Sequence, residues 1–395
     1  MALSRLRREP LRRSEYLSGG FMTTVLAFGT YNVRKHPRVG ILIEGLRRNG
    51  CKVEEINHPL ELSTAQRVDI LKKPWKLFGF GWRLLNLWWR LSKDAKRWLA
   101  ANGEPDAVLV GYMGHFDVLL AHHMFKNVPI VLDHLIFAGD TAKDRGARGL
   151  KVALLNRLDH MATHAASLVV VDTIEHRHML ESDVRSMVVP VGAQDEWYAA
   201  SWRTKTIERN GVVFFGLYTP LQGTPVIARA LVELALRGIT PKVTMIGKGQ
   251  DYEQVRAITY GLGTVEFRDW VEPEDLPSLV ASHAVALGIF STTPKGLHVV
   301  PNKVYQSVAA GCAVITSDTA PQRRELGNGA IFVEPGNPKE LANAMETLLS
   351  NGKMLHSARQ AALIVSNRFR PEEVSRELAT WIRNRSLPEK DADKS

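Results

Sequence analysis

From Leu287 to Ser317 the chain reads LGIFSTTPKGLHVVPNKVYQSVAAGCAVITS. A strand ending at Phe290 runs into a loop of Thr, Pro and Gly, and a helix begins near Asn302. A helix N-terminus offers unpaired N–H groups and a partial positive charge, and Lys303 adds a full one. That combination suits a diphosphate. Gln306 lies one turn on from Asn302 and Lys303, on the same helix face, within reach of ribose hydroxyls. Ala309-Ala310-Gly311 is small enough for close backbone packing before the next strand. On the residues alone, a plain loop-to-helix connection is the alternative.

A second polar group, Gly111-Tyr112-Met113-Gly114-His115, follows a strand and precedes a helix, at the carboxyl edge where open α/β sheets bind ligands. Other chemistries lack their signatures. There is no G-x-x-x-x-G-K-[ST] loop and no G-x-G-x-x-G after the first strand, although Gly247-Lys248-Gly249 supplies a first half. No G-x-S-x-G elbow occurs. No H-E-x-x-H occurs either, and His160/His164 is an i,i+4 pair that reads as a surface feature. The sole D-x-D, Asp391/Asp393, lies in the tail.

These residues must be positioned by a regular alternation. Apolar runs at 24–28, 107–110, 130–132, 168–171 and 187–189 read as buried parallel strands, separated by helical patterns such as 38–48 and 151–166. A polar stretch at 194–210 reads as a hinge. The rhythm then restarts at 212–215, 242–246, 265–267, 284–289, 313–316 and 331–333. Thr224-Pro225 reads as an N-cap followed by proline at the first helical position. The pattern predicts an α/β protein of two doubly wound domains, at 22–195 and 205–370. A basic extension precedes them at 1–21, a C-terminal helix follows at 371–386, and a disordered tail occupies 387–395. No apolar core follows the basic start, so no secretory signal is read there. Two cysteines in 395 residues, Cys51 and Cys312, give no disulfide framework and point to a reducing compartment.

The net charge of +10 is unevenly placed. Residues 1–100 hold 20 Lys/Arg against 8 Asp/Glu, and the remainder 31 against 33. Such asymmetry suggests an acidic partner, lipid or nucleic acid, and the chain lacks any recognised nucleic-acid motif. Residues 74–101 carry Trp75, Trp82, Trp88, Trp89 and Trp98. Leu77, Leu84, Trp88, Leu91, Ala95 and Trp98 form an apolar helical stripe, and Lys76, Arg83, Arg90 and Arg97 recur every seven residues. A basic, Trp-rich amphipathic helix is the pattern of an interfacial membrane helix. A helix packed on its own domain is the alternative.

The second half resembles the nucleotide-sugar-binding domain of group 1 (family 4) retaining glycosyltransferases of GT-B fold. The matching pieces are Val213-Phe214-Phe215-Gly216 with Gln222-Gly223, then Met245-Ile246-Gly247-Lys248-Gly249. Asp275-Leu276-Pro277 and Pro301-Asn302-Lys303-Val304-Tyr305-Gln306 into Ala309-Ala310-Gly311 follow in order. The first half agrees through His36-Pro37-Arg38 and Val189-Pro190-Val191-Gly192. The resemblance implies two Rossmann-like domains facing a central cleft, a nucleotide-diphosphate sugar as donor, and no metal or other cofactor. It implies a retaining front-face reaction in which the leaving diphosphate helps take the acceptor proton. The acceptor would be a glycan or a lipid-linked sugar. The protein would then be cytoplasmic and peripheral at the inner face of a membrane, with no nucleic-acid partner.

Two departures from the family stand out. The family's paired glutamates, eight positions apart, correspond to His298 near the donor sugar and Gln306 on the ribose. Its usual Arg/Lys pair after the first strand of this domain is replaced, with Leu217 and Gln222 there. Phosphate charge then rests on Lys303, the helix starts at Thr224 and Asn302, and Lys248 or Lys295. By the same resemblance His115 is the candidate for contact with sugar or acceptor. Asp133-His134 is a second candidate pair, and Thr30-Tyr31-Asn32 lines the acceptor side. Alternatives within the same fold are a non-catalytic sugar-nucleotide-binding partner subunit, an inverting transferase or an epimerase.

Overall fold

The computed structural model describes residues 22–34, 36–60, 76–144 and 146–386. The basic extension, Trp75, the side chains of Lys76 and Leu77, and the Asp391/Asp393 tail lie outside the described residues and side chains. Two six-stranded sheets make up the fold, and every strand pair is parallel. The first sheet comprises β1 (Thr24–Gly29), β2 (Lys52–Asn57), β3 (Ala107–Val110), β4 (Ile130–Asp133), β5 (Leu168–Val171) and β6 (Ser186–Val188). Their order is β2-β1-β3-β4-β5-β6. The second comprises β7 (Glu208–Phe215), β8 (Lys242–Ile246), β9 (Val265–Arg268), β10 (His283–Leu287), β11 (Ala313–Ser317) and β12 (Ile331–Val333). Here the order is β12-β11-β10-β7-β8-β9. Strand order reverses beside β1 in one sheet and beside β7 in the other, so each has one crevice at its carboxyl edge.

The apolar runs became central strands because helices cover both faces. Every residue of β3, β4, β5, β10 and β11 is buried. Strand β2, LysValGluGluIleAsn, is absent from those runs because it is an edge strand, open on one side and carrying charge there. The expected hinge at 194–210 is not irregular. It holds a helix, Asp195–Arg203, whose Trp197, Tyr198 and Ala200 are buried, and β7 begins soon after it. Trp197 stacks on Phe215 with ring centroids 5.5 Å apart, and this contact folds a stretch whose composition is polar. Thr224 is the first residue of its helix rather than the cap; Gly223 occupies the cap with φ +66.

The long helix Lys76–Asn102 divides its tryptophans. Leu91 and Ala95 enter the first sheet's core, and Leu84 is buried as well. Trp88 donates its indole N–H to Asp117 at 3.1 Å and Trp98 donates to Glu54 at 2.5 Å. The stripe read from the sequence is therefore a packing face. A different stripe, Trp82, Leu85 and Trp89, stands 77, 58 and 62% exposed on the other side of the helix.

The expected single helix at the C-terminus is split into Pro371–Val374 and Arg376–Ser386. It crosses back to the first sheet, where Val374, Leu378, Ala379 and Ile382 share a core with Ile41, Leu42 and Leu46. Gly45, on the helix Arg38–Arg48, permits this. A methyl there would stand 2.0 Å from the Pro371 carbonyl oxygen and 2.3 Å from Ser375 Oγ. Helix propensity favours Ala over Gly by about 1 kcal/mol, whereas overpacking costs about 1–3 kcal/mol. Gly45→Ala is thus expected to destabilise the protein and lower its urea midpoint. An unchanged or higher midpoint would show that the two helices do not approach this closely.

Candidate active site

The second sheet's crevice is lined by the loops after β7 and β10. Two glycines let those loops meet. A side chain at Gly223 would lie 2.5 Å from the Phe290 carbonyl carbon, and the Phe290 N–H donates to the Gln222 carbonyl at 3.0 Å. A side chain at Gly247 would lie 2.1 Å from the Gly216 carbonyl oxygen, so the loop after β8 packs against the same junction. Gly216, Gln222, Gly223 and Gly247 are brought together as the sequence suggested.

Lys303 reaches into this junction from the first turn of the helix Asn302–Ala309. Its ammonium lies 3.6 Å from the centre of the Phe214 ring and 3.0 Å from where a Gly216 side chain would begin. It is buried and has no hydrogen-bond partner. The Gln222 Oε1 and Thr224 Oγ1 atoms, on the loop and helix after β7, are buried and unpartnered as well. Burial pushes the Lys303 pKa well below the ordinary lysine value. A cation–π contact returns about 2 kcal/mol when desolvated, less than the several kcal/mol lost by an ammonium taken out of water. The site holds an amine whose charged form finds no hydrogen-bond partner among the described residues.

The remaining candidates sit differently. Asn302 and Gln306 are half-buried, one turn apart on that helix. Lys295 extends across to the first domain and donates to Thr141 Oγ1 at 2.6 Å. His298 is exposed, and its carbonyl accepts from Thr173 Oγ1 at 3.0 Å, a second bridge between the two domains. Lys248 points outward to an ion pair with Asp269 at 2.6 Å, which raises its pKa, while its neighbours Gly247 and Gly249 serve loop packing. Leu217, at one of the missing basic positions, is exposed.

In the first domain, the β1 and β3 loops border the crevice. His115 is buried; its Nε2 lies 2.9 Å from Asp159 Oδ1 and 3.1 Å from the Ile136 carbonyl. Burial raises the Asp159 pKa, but hydrogen bonds from His115 and from the Gly139 and Ala138 N–H groups outweigh that and hold it low. His134 packs edge-on against His115 with centroids 4.9 Å apart, and its Nε2 has no hydrogen-bond partner. Burial and the neighbouring His115 keep its pKa low, so the ring is neutral. Its neighbour Asp133 instead pairs with buried Arg38 at 3.1 Å, fixing the start of the Arg38–Arg48 helix to the end of β4. Thr30 donates both its N–H and its hydroxyl to Asp117 at 2.7 Å. Asp159, Asp117 and the Arg38–Asp133 pair escaped the sequence reading. Each partner is distant in sequence, and a lone buried acid in a helix leaves no local periodicity.

Lys303 makes stability depend on pH in a definite direction. Its folded pKa is lowered, so the unfolded chain binds the proton more readily. Stability therefore falls as pH drops from the unfolded lysine value toward the folded one. Lys303→Met, of similar length and apolar, is expected to stabilise the protein by about 1–3 kcal/mol at neutral pH. The gain should shrink as pH rises toward about 10. Urea denaturation of both proteins across that range measures it, and a less stable variant at neutral pH would refute the desolvation account.

No curated protein sequence matches the chain. Residues 209–351, which span β7 to the end of the second sheet and the helix after it, match the family model described as glycosyl transferases group 1. Among solved structures, sucrose-phosphate synthase from Thermosynechococcus elongatus is similar at TM-score 0.66 and 12% identity, covering 92% of this chain and 98% of that one. Anabaena HepE in complex with UDP-glucose is similar at TM-score 0.61 and 14% identity, covering 92 and 99%. A glycosyltransferase from Rickettsia africae is similar at TM-score 0.59 and 12% identity, covering 92 and 98%. At such identities the likeness carries the fold, two Rossmann-like domains in the GT-B arrangement. Residues 209–351 thus match the group 1 glycosyltransferase model, and the chain as a whole has the GT-B fold.

Proposed function

We propose that the protein is a retaining transferase that moves a sugar from a nucleotide diphosphate to a lipid-linked acceptor, without a catalytic metal. The observation that carries the donor half is the buried, unpartnered Lys303 ammonium under Gly216. A diphosphate lying over Gly216 would supply the missing counter-charge, and the helix starts at Thr224 and Asn302 would add N–H groups. Gln306 is placed one turn along to take ribose hydroxyls. In this reading Lys303 steadies charge that grows on the leaving diphosphate, which itself takes the acceptor proton. The protein contributes position and charge. His115 and His134, at the first domain's edge, face the sugar and acceptor side, with Asp159 holding the His115 ring as a positioning residue.

HepE was solved with UDP-glucose, so uridine diphosphate heads a thermal-shift series with GDP, ADP and dTDP. One nucleotide is expected to raise Tm by mass action, and Lys303→Ala to weaken it by about 1–3 kcal/mol. A set of four flat responses would remove the donor reading. An unchanged affinity in the variant would remove Lys303 from it.

The acceptor half rests on the exposed Trp82-Leu85-Trp89 stripe, beside Arg83, Arg90 and Lys93, which are also exposed. Aromatic side chains at headgroup depth with cations around them suit an anionic bilayer surface, each cation adding about 1 kcal/mol. No helix among the described residues is long and apolar enough to cross a membrane. Vesicles containing phosphatidylserine should float the protein at low salt and less at high salt. Trp82→Ser with Trp89→Ser should abolish flotation, because those side chains touch no core. Failure of the unaltered protein to float under any condition would leave a soluble acceptor.

A further inference from the structure

The end of the helix Leu150–His164 and the turn before β6 bring four side chains together outside the donor site: His160, His164, Glu181 and Asp183. One carboxylate spans both rings. Glu181 Oε1 lies 2.7 Å from His160 Nδ1, and its Oε2 lies 3.6 Å from His164 Nε2. Asp183 Oδ2 is 3.3 Å from that same His164 nitrogen. The two rings sit 4.0 Å apart, as residues one helical turn apart can. All four side chains reach solvent.

The tautomer decides what this cluster can do. His164 Nδ1 lies 2.8 Å from the His160 carbonyl, so that nitrogen carries a proton and donates it. A neutral His164 then turns the Nε2 lone pair toward two carboxylates. Something positive must lie between them, either a second proton or a metal ion. A ring fixed through its other N–H to a backbone carbonyl is the usual support of a metal-bound histidine. Ligand bonds of 2.0–2.2 Å around tetrahedral zinc imply ligand separations of about 3.3 Å. The 3.6 Å between Glu181 Oε2 and His164 Nε2 is near that size, the 2.7 Å between Glu181 Oε1 and His160 Nδ1 is a hydrogen bond that the ion would replace, and one ligand atom from each of His160, His164 and Glu181 falls within 4.8 Å of the others.

We propose that His160, His164 and Glu181 bind a divalent transition-metal ion of the zinc type, with water completing its coordination. The ion clamps the helix Leu150–His164 to the turn before β6. It is a structural site, independent of the transferase reading. His160 follows Asp159, the residue that holds His115 and the start of the helix Ala138–Asp144. The clamp therefore steadies the wall of the first domain's crevice.

The test uses tag-free full-length protein and zinc chloride, by calorimetry and thermal shift. One ion per chain and a raised Tm are expected. Each of His160→Ala, His164→Ala and Glu181→Gln should weaken binding at least about tenfold, and the double histidine variant should lose the ion. Cobalt(II) in place of zinc should show the visible absorption of a low-coordinate site, absent from the double variant. All three positions are open to solvent, so circular dichroism should show the variants folded. Absence of zinc binding by the unaltered protein would overturn the proposal. So would an unchanged stoichiometry and affinity in the double variant, which would assign the ion to another cluster such as His115, His134 and Asp159.

Discussion

A buried ammonium without a partner is the constraint around which the second domain is arranged. Lys303 could be solvated by a side chain, yet Gly216 offers none and leaves room above it. The Phe214 ring beneath gives a weak cation–π cushion in place of water. Gln222 and Thr224 end in unsatisfied oxygens on the loop and helix after β7. A protein selected only for stability would fill or neutralise such a junction. An unsatisfied cation at the strand-order switch of a Rossmann-like sheet is instead what a phosphate ligand requires. Under the proposed donor reading, one desolvated charge at close range would interact more strongly than several exposed ones and so would offset the missing Arg/Lys pair.

The first domain uses the opposite arrangement. Its buried aspartates each have at least one partner, although Asp133 Oδ2 is left without one. Asp159 accepts from His115 and two backbone N–H groups, Asp117 from Thr30 and Trp88, and Asp133 from Arg38. Burial still leaves Asp117 and Asp133 with raised pKa values, since desolvation exceeds what their partners return. Such pairs act as fixed struts for the loops after β1, β3 and β4. Contacts from Lys295 to Thr141 and from Thr173 to the His298 carbonyl bridge this edge to the second domain.

How much of this was legible in the sequence followed from how local the cause was. Central strands showed as apolar runs because both of their faces are buried, and the edge strand β2 did not. The loop-to-helix start at Asn302 and the cation in its first turn were readable from residue types alone. The desolvation of Lys303 was not, because it depends on Phe214 and Gly216 nearly ninety positions away. The place of His115 after β3 was readable, but its partner lies 44 residues on in an unremarkable helix. Periodicity in the long helix revealed an apolar face without saying which face was covered. The stripe with more hydrophobic members proved to be the packed one, and the exposed stripe carried only three.

That division of the long helix ties surface to site. Trp88, on the packed side, donates to the same Asp117 carboxylate that receives both Thr30 hydrogen bonds. Gly29, just before, has a backbone at φ +145, and any side chain there would come within 2.9 Å of that carboxylate. The β1 loop is thus set by a group whose position depends on the long helix. Trp82 and Trp89 project from the other side of that helix, one residue from Trp88 in the latter case. In the proposed membrane-bound state, a load on the exposed stripe would pass along this helix to a buried carboxylate and from there to Thr30. Docking and acceptor positioning would then be one mechanical event. An amphipathic helix joined by a mobile linker could not provide that coupling, because its motion would be lost before it reached the crevice.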